Sequence, residues 1–80
     1  KLYFVYLPDF YTVKTNLKKG HFYKIKKIVN GLDIPFIDIY QEVFKEEKEP
    51  LELFPFKQNG HYTEAGYKKI SEVIFNFISK

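Results

Sequence analysis

Two short runs of large apolar residues, separated by a stretch with helical spacing, place the strongest limit on how this chain can fold. The runs cover residues 2–7 and 34–39. Neither run alternates strictly between apolar and polar side chains, which predicts strands buried on both faces, as in a parallel sheet. Because strand, helix and strand follow one another with short connections, the sequence predicts an α/β fold built on a right-handed parallel crossover.

Three stretches have the spacing of helices, over residues 18–30, 40–47 and 63–79. The last gives the clearest signal, because Thr63 is a suitable N-cap ahead of a long apolar stripe. The second is short and acidic. The buried face of the first helix is predicted to contain Phe22, Ile25, Ile28 and Val29.

The remaining segments are predicted as loops. Residues 9–16 follow the first strand and would lie at the carboxyl edge of the sheet, where α/β proteins bind ligands. Residues 49–60 contain two prolines and an apolar cluster, which favours a loop that packs against the core beside the segment that follows. The cluster consists of Leu51, Leu53, Phe54 and Phe56.

Composition excludes several classes of protein. A hydrophobic content of 45% and an aromatic content of 20% exclude a disordered chain. With no cysteine and only two histidines, His21 and His61, neither a metal nor another cofactor is predicted. No apolar run reaches the length of a membrane span.

The net charge of +3 comes from lysine alone, since arginine is absent. Proteins that read nucleic acids usually use arginine forks for phosphates and guanine edges, so no nucleic-acid partner is predicted. Such a binder would need a clustered lysine face. The candidates are Lys14, Lys18, Lys19, Lys24, Lys26 and Lys27.

The chain begins at Lys1 and enters an apolar run directly, which indicates a piece of a longer domain. A small sheet cut from its neighbours would present unpaired strand edges. Self-association through those edges is therefore a further prediction.

Residues 59–67 contain the chemically most informative group. Gly60 precedes His61, which lies two residues before Thr63, the predicted N-cap of the last helix. An imidazole on a fixed support can move protons near neutral pH, so His61 is predicted to be the base of an acyl-transfer or ester-hydrolysis site. The alternative is a histidine that only bonds backbone.

Three other polar residues are given structural roles. Asp9 and Asp38 each follow a predicted strand, and both are predicted to accept hydrogen bonds from nearby backbone amides. His21 lies near the start of a helix and is predicted to be a surface residue.

These pieces resemble the C-terminal portion of the SGNH (GDSL-type) hydrolase superfamily. The resemblance lies in the strand ending at Leu7 and Pro8, in residues 34–40, and above all in residues 60–67. In the last segment a histidine, a small polar residue and a Gly-Tyr pair lead into a terminal amphipathic helix. The resemblance implies a three-layer α/β/α fold, with residues 1–80 as the C-terminal part of one domain.

The same resemblance implies a serine esterase or acyl hydrolase whose substrate is a small-molecule, glycan or lipid ester, such as an O-acetyl group. The family histidine corresponds to His61, which would take a proton from the serine and return it to the leaving group. The Gly-Asp-Ser block that contains the family serine is absent here, so this chain alone is predicted to be inactive. The alternative is a non-catalytic α/β module, either a degenerate relative or a partner-binding piece.

One position departs from the family pattern. The family usually has an aspartate three residues before the histidine, where this chain has Gln58. An amide can fix the histidine tautomer, but it stabilises an imidazolium less than a carboxylate does. Either the site therefore works as a serine–histidine dyad, or another group orients His61, namely Gln58, Asp38, Glu52 or a backbone carbonyl. Loss of activity is the remaining explanation.

Overall fold

The computed structural model describes residues 1–18 and 20–79. The described chain contains two strands and four α-helices, which confirms the α/β class. In chain order the elements are β1 (Phe4–Tyr6), α1 (Phe10–Thr15), α2 (Gly20–Gly31), β2 (Phe36–Asp38), α3 (Ile39–Glu42), three 3-10 turns (Phe44–Glu46, Pro50–Leu53 and Pro55–Lys57) and α4 (Glu64–Ile78).

The two strands pair in parallel, with Phe4 opposite Phe36 and Tyr6 opposite Asp38. The predicted pair of parallel strands joined through a helical segment is therefore confirmed. Because the strands run in the same direction, Tyr6 and Asp38 end at the same edge of the sheet. This carboxyl edge is the part of the fold on which the candidate site depends.

Both strands are shorter than predicted. Each contains three residues, whereas the apolar runs cover residues 2–7 and 34–39. Pro8 and Pro35 explain much of the difference, since proline has no N–H with which to extend a ladder. Side chains in the rest of each run still pack, so an apolar run marks burial more accurately than it marks strand pairing.

Residues 9–16, predicted as a loop, contain helix α1 instead. The Asp9 carboxylate accepts a hydrogen bond from the Thr12 N–H at 2.7 Å, and Asn16 ends the helix in a left-handed conformation with φ of 60°. The backbone-bonding role predicted for Asp9 is confirmed. The loop prediction is wrong because a helix of six residues is too short for apolar spacing to reveal it.

The boundaries of two further helices differ from the prediction. The helix predicted over residues 18–30 begins and ends slightly later, as α2, and Lys19 lies outside the described residues. The helix predicted over residues 40–47 is divided into α3 and a 3-10 turn. The division falls at Val43, whose φ of −118° departs from helical geometry before the buried Phe44.

Helix α2 presents a narrower buried face than predicted. Phe22 and Val29 are buried, but Ile25 is 37% exposed and Ile28 is 63% exposed. A sheet of two strands offers little width, so only one row of side chains on α2 lies against it. The predicted burial of Ile25 and Ile28 is therefore wrong in this chain.

The sheet has apolar contacts on both faces. On one face the Phe22 ring packs against Tyr6 and Phe36, with centroids 4.6 and 5.8 Å away. The Ile37 side chain, next along β2, points the opposite way into the main core, as side chains in strands alternate. The main core consists of Phe10, Val13, Ile37, Ile39, Tyr40, Val43, Phe44, Leu53, Phe54, Tyr62 and Ile70.

Residues 49–60 pack against the core through Leu53 and Phe54, as predicted for this segment. Phe56 differs, because it is 92% exposed and its φ of 55° turns the chain away from the core. Helix α4 then matches the helix predicted over residues 63–79. Within the described residues, no helix is both long and apolar enough to cross a membrane.

Candidate active site

The segment just after His61 is fixed to the core through its backbone. The Thr63 N–H donates to the Leu53 carbonyl at 2.7 Å, and the Thr63 hydroxyl oxygen accepts from the Gly66 N–H at 3.0 Å. The N-cap role predicted for Thr63 is therefore confirmed. These two bonds hold the start of α4 against the preceding loop.

Gly66 allows α4 to approach that loop closely. A Cβ added at this position would lie 3.1 Å from Tyr62 Cβ and 3.2 Å from the Leu53 carbonyl oxygen. Both distances are tighter than ordinary van der Waals contact. The glycine in the Gly-Tyr pair is therefore needed for packing at the site.

Tyr62, the residue after His61, anchors the site to the sheet. Its side chain is 7% exposed, and its ring lies 5.3 Å from the rings of both Phe44 and Phe54. Its hydroxyl donates a hydrogen bond to the Pro8 carbonyl, just beyond the carboxyl end of β1. One side chain thus connects the histidine loop with the edge of the parallel sheet.

Tyr62 also packs on the first turn of α4. Its ring contacts Tyr67 at 5.4 Å in an edge-to-face arrangement. Tyr62 precedes the N-cap and Tyr67 is the fourth residue of the helix, so the two form a hydrophobic staple. This contact fixes the angle at which the chain enters α4.

Burial raises the pKa of Tyr62 well above its ordinary value of 10.0, and the nearby Tyr67, Tyr6 and Asp9 act in the same direction. Burial likewise raises the pKa of Tyr6, although a hydrogen bond with Thr12 opposes the rise. Both phenols therefore keep their protons at neutral pH. The hydroxyl of Tyr62 remains a donor over the whole range in which histidine can act as a base.

His61 is exposed, and its Nδ1 lies 2.9 Å from the backbone carbonyl oxygen of Tyr62. A carbonyl oxygen can only accept, so this contact assigns the proton to Nδ1 and leaves the lone pair on Nε2. The preceding Gly60 has φ of 157°, which residues with a side chain rarely adopt. The loop therefore needs glycine to present the ring in this way.

Of the orienting groups considered from the sequence, the backbone carbonyl is the one that contacts the ring. Within residues 1–18 and 20–79, no hydrogen bond joins His61 to Gln58, Asp38 or Glu52. Gln58 and Glu52 are exposed. A neutral backbone group is therefore the observed partner of Nδ1.

Asp38 has two other partners. One carboxylate oxygen accepts from Lys18 Nζ at 2.6 Å, and the other accepts from the Gln41 N–H at 3.2 Å. The Lys18 ammonium also lies 4.2 Å from the centre of the Phe22 ring and 5.3 Å from that of Tyr40. The capping role predicted for Asp38 is confirmed, and its ion pair with Lys18 lies at the carboxyl edge of β2.

No nucleophile in the described part of the chain is hydrogen-bonded to His61. The Ser71 hydroxyl donates to the Tyr67 carbonyl at 2.8 Å, and the Thr63 hydroxyl caps α4. His61 lines none of three surface cavities, although one of them lies along the first turns of α4 and is lined by Tyr67 and Ser71. The described residues also contain no group of three or more histidines or carboxylates that could hold a metal ion.

Sequence reasoning assigned no role to Tyr62, which anchors the site, or to Lys18, which pairs with Asp38 at the carboxyl edge of β2. Tyr62 was part of the motif but had no function, and Lys18 was only one of several lysines. A usable signal existed for Tyr62, because an aromatic residue just before a threonine N-cap, with another four positions into the helix, is the pattern of a staple. No comparable signal exists for Lys18, whose partner lies 20 residues away in sequence.

No protein-family model, no curated protein and no solved structure matches this chain. The fold and site therefore define the class of the protein only broadly. It is a small α/β chain with an exposed histidine on a loop that is anchored near the carboxyl edge of a parallel sheet.

Proposed function

We propose that this chain is the C-terminal part of a serine ester or acyl hydrolase of SGNH type, in which His61 moves the proton. In the complete domain, the two-stranded sheet would be part of a three-layer α/β/α fold. The nucleophilic serine would come from the preceding part of that domain. The substrate would be a small-molecule, glycan or lipid ester.

The observation that carries this proposal is the state of the His61 ring. Its Nδ1–H is satisfied by the Tyr62 carbonyl, and the ring is exposed with the lone pair on Nε2. The Tyr62–Pro8 hydrogen bond ties the same loop to the end of β1. Ligands of open α/β sheets bind beyond the carboxyl ends of the strands, so a base held here would be near bound substrate.

The chemistry follows from this arrangement. Nε2 of His61 would accept the proton of the serine hydroxyl as its oxygen attacks the ester carbonyl. The resulting imidazolium would protonate the departing alkoxide, and a water molecule would repeat the sequence on the acyl-enzyme. The carbonyl of Tyr62 holds the ring orientation in both states, but it lacks the negative charge with which an aspartate stabilises the imidazolium. The proposed site is therefore a serine–histidine dyad.

The proposal is tested by hydrolysis of a short-chain aryl ester by the full-length parent protein, with His61→Ala as the variant. His21→Ala is the matched control, because His21 is also exposed but lies on α2. We expect His61→Ala to lower turnover by several orders of magnitude and His21→Ala to leave it unchanged. A parent that keeps its full rate after His61→Ala would remove His61 from the mechanism.

A non-catalytic module is the second candidate. It is favoured by the absence of any contact between His61 and a carboxylate in the described residues, and by exposed aromatic side chains such as Phe56 and Phe75. The parent sequence discriminates the two candidates first, through the presence or absence of a Gly-Asp-Ser block. A well-folded parent with no esterase activity would support the module.

A further inference from the structure

Lysines and acidic residues are distributed very unevenly along the chain. Residues 10–32 contain six lysines and no aspartate or glutamate, whereas all ten acidic residues lie outside this segment. The segment comprises α1, α2 and their connections. One part of the molecule is therefore strongly basic, although the net charge of the whole chain is only +3.

The same segment exposes large apolar side chains. They are Tyr11, Leu17, Tyr23, Ile25, Ile28 and Leu32. Ile28 and Leu32 are the pair of interest, at 63% and 64% exposure. Leu32 directly follows α2, and its N–H donates to the Ile28 carbonyl at 3.2 Å and to the Val29 carbonyl at 3.1 Å, so it lies about one turn beyond Ile28.

Two lysines lie beside this apolar pair and have no ion-pair partner in the part of the chain that the structure describes. Phe22 and Val29 mark the core side of α2, and the helical repeat of 100° per residue places Lys24 and Lys27 on the opposite side. Neither lysine forms an ion pair with another described residue. Both are exposed.

The other described lysines of the segment are engaged elsewhere. Lys18 pairs with Asp38, and the ammonium of Lys26 lies 5.8 Å from the centre of the Phe36 ring, towards the sheet. Lys14 similarly lies over the Phe10 ring at 5.9 Å. The outer surface of α2 therefore has two ammonium groups that are unpaired with respect to residues 1–18 and 20–79, and they border two exposed aliphatic side chains.

We propose that this surface of α2 docks on an anionic lipid surface. Lys24 and Lys27 would contact the acidic headgroups, while Ile28 and Leu32 would enter the boundary between headgroups and acyl chains. A helix with exposed aliphatic residues beside lysines has the chemistry of an interfacial membrane helix. The inference does not depend on ester hydrolysis, since it concerns binding and a different face of the protein from His61.

The chemistry favours lipid over other anionic partners. Proteins usually bind nucleic acids through arginine forks on phosphates and aromatic rings stacked on bases. The surface of α2 instead combines lysine with isoleucine and leucine. Two copies of α2 facing each other would bring like charges together, which disfavours a symmetric dimer through this face. An acidic lipid layer satisfies both parts of the surface, because it offers negative headgroups above apolar chains.

The experiment is co-sedimentation of the 80-residue chain with phosphatidylcholine vesicles, with and without phosphatidylserine. We expect binding to the vesicles that contain phosphatidylserine, weakened by high salt, and little binding to phosphatidylcholine alone. Circular dichroism checks that each variant keeps its helices. Light scattering in the absence of lipid reports self-association.

Paired variants separate the two parts of the surface. Lys24→Gln with Lys27→Gln should lower the partition coefficient roughly 25-fold, at about 5-fold for each lysine. Ile28→Ala with Leu32→Ala should lower it more than tenfold, since several buried methyl and methylene groups are lost.

Matched controls make the same chemical changes on other surfaces. Lys45→Gln with Lys48→Gln removes two exposed lysines from the acidic half of the chain, and Phe75→Ala with Ile78→Ala truncates two exposed apolar residues of α4. Both pairs should leave vesicle binding unchanged.

Several results would overturn the proposal. One is an equal effect of the control pairs. Another is binding to phosphatidylcholine that needs no acidic lipid. If Ile28→Ala with Leu32→Ala leaves vesicle binding unchanged, the contact is purely electrostatic and the proposed insertion of these side chains is wrong. Absence of vesicle binding, tighter binding to duplex DNA or RNA than to vesicles, or self-association lost with the Ile28 and Leu32 changes would assign the surface to a different partner.

Discussion

Tyr62→Phe is the substitution that most directly tests how His61 is supported. It removes one oxygen and keeps the ring that packs against Phe44 and Phe54. The lost group is the hydroxyl that donates to the Pro8 carbonyl. Since Tyr62 is 7% exposed and Pro8 is among the most buried side chains, water has little access to the carbonyl left without its donor.

The magnitude follows from that geometry. Leaving a buried acceptor unsatisfied costs about 1–3 kcal/mol, while the aromatic packing of residue 62 is retained. In a domain of this size each kcal/mol lowers the melting temperature by roughly 4–8 °C. We expect Tyr62→Phe to lower the free energy of unfolding by about 1–3 kcal/mol. This is a large fraction of the total stability, because short chains are only marginally stable.

Urea unfolding followed by far-ultraviolet circular dichroism measures the change. Tyr67→Phe is the matched control, because Tyr67 is half exposed and its hydroxyl has no hydrogen-bond partner among the described residues. That control should stay within about 0.5 kcal/mol of the native chain. If both variants unfold at the same urea concentration as the native chain, the Tyr62–Pro8 bond does not anchor the loop.

Three further substitutions or conditions test other parts of the fold. Gly66→Ala should destabilise by about 1 kcal/mol in urea titrations, because its Cβ would meet a backbone carbonyl oxygen at 3.2 Å; Gly31→Ala, with nothing within 4 Å, should stabilise slightly. Asp38→Asn should lower the free energy of unfolding by about 1–2 kcal/mol, because it breaks a half-buried ion pair with Lys18. Glu47→Gln breaks an exposed ion pair with Lys69 and should leave the free energy of unfolding almost unchanged. Equal losses in the two variants would contradict this ranking. The raised pKa of Tyr62 means that the unfolded chain ionises first, so stability should fall as pH rises above about 10, by up to about 1.4 kcal/mol per pH unit. In Tyr62→Phe, stability should fall less steeply with pH in this alkaline range. An unchanged pH dependence would show that Tyr62 is not the group responsible.

The strands and the last helix could be predicted because their signals are local. A run of β-branched and aromatic residues indicates a buried strand, and Thr63 with the apolar stripe behind it indicates a capped helix. Helix α1 could not be predicted in this way. It spans only six residues, and its N-cap is one hydrogen bond from the Thr12 N–H to the Asp9 carboxylate.

Burial of the individual helix faces was harder to predict than the helices themselves. Ile25 and Ile28 have the spacing of core residues, but the sheet beneath α2 is too narrow to cover them. Spacing shows which residues share a face of a helix, and only the neighbouring elements decide how much of that face is covered. Phe56 shows the same limit, since its left-handed backbone turns an apolar ring into solvent.

The sequence predicted which residues belong to the candidate site, but it did not predict the contacts that these residues make. Sequence indicated a histidine on a fixed support, and the structure places an exposed His61 on an anchored loop. The tautomer could not be derived from sequence, because it depends on a 2.9 Å contact with the carbonyl of the next residue. The ion pair between Asp38 and Lys18 could not be predicted from sequence either, since it depends on how α2 and β2 are arranged in space.

The roles of neighbouring residues 61 and 62 can be separated by comparing two measurements. His61 is exposed and bonds only to the backbone of Tyr62, so His61→Ala should leave the free energy of unfolding nearly unchanged. Tyr62 is buried and bonds to the Pro8 carbonyl just beyond β1, so its substitution should act on stability first. Under the proposed function the order reverses for turnover of the full-length protein, because only the imidazole would touch the reacting atoms. A variant at residue 61 that unfolds the protein, or one at residue 62 that abolishes turnover without loss of stability, would contradict this division between chemistry and support.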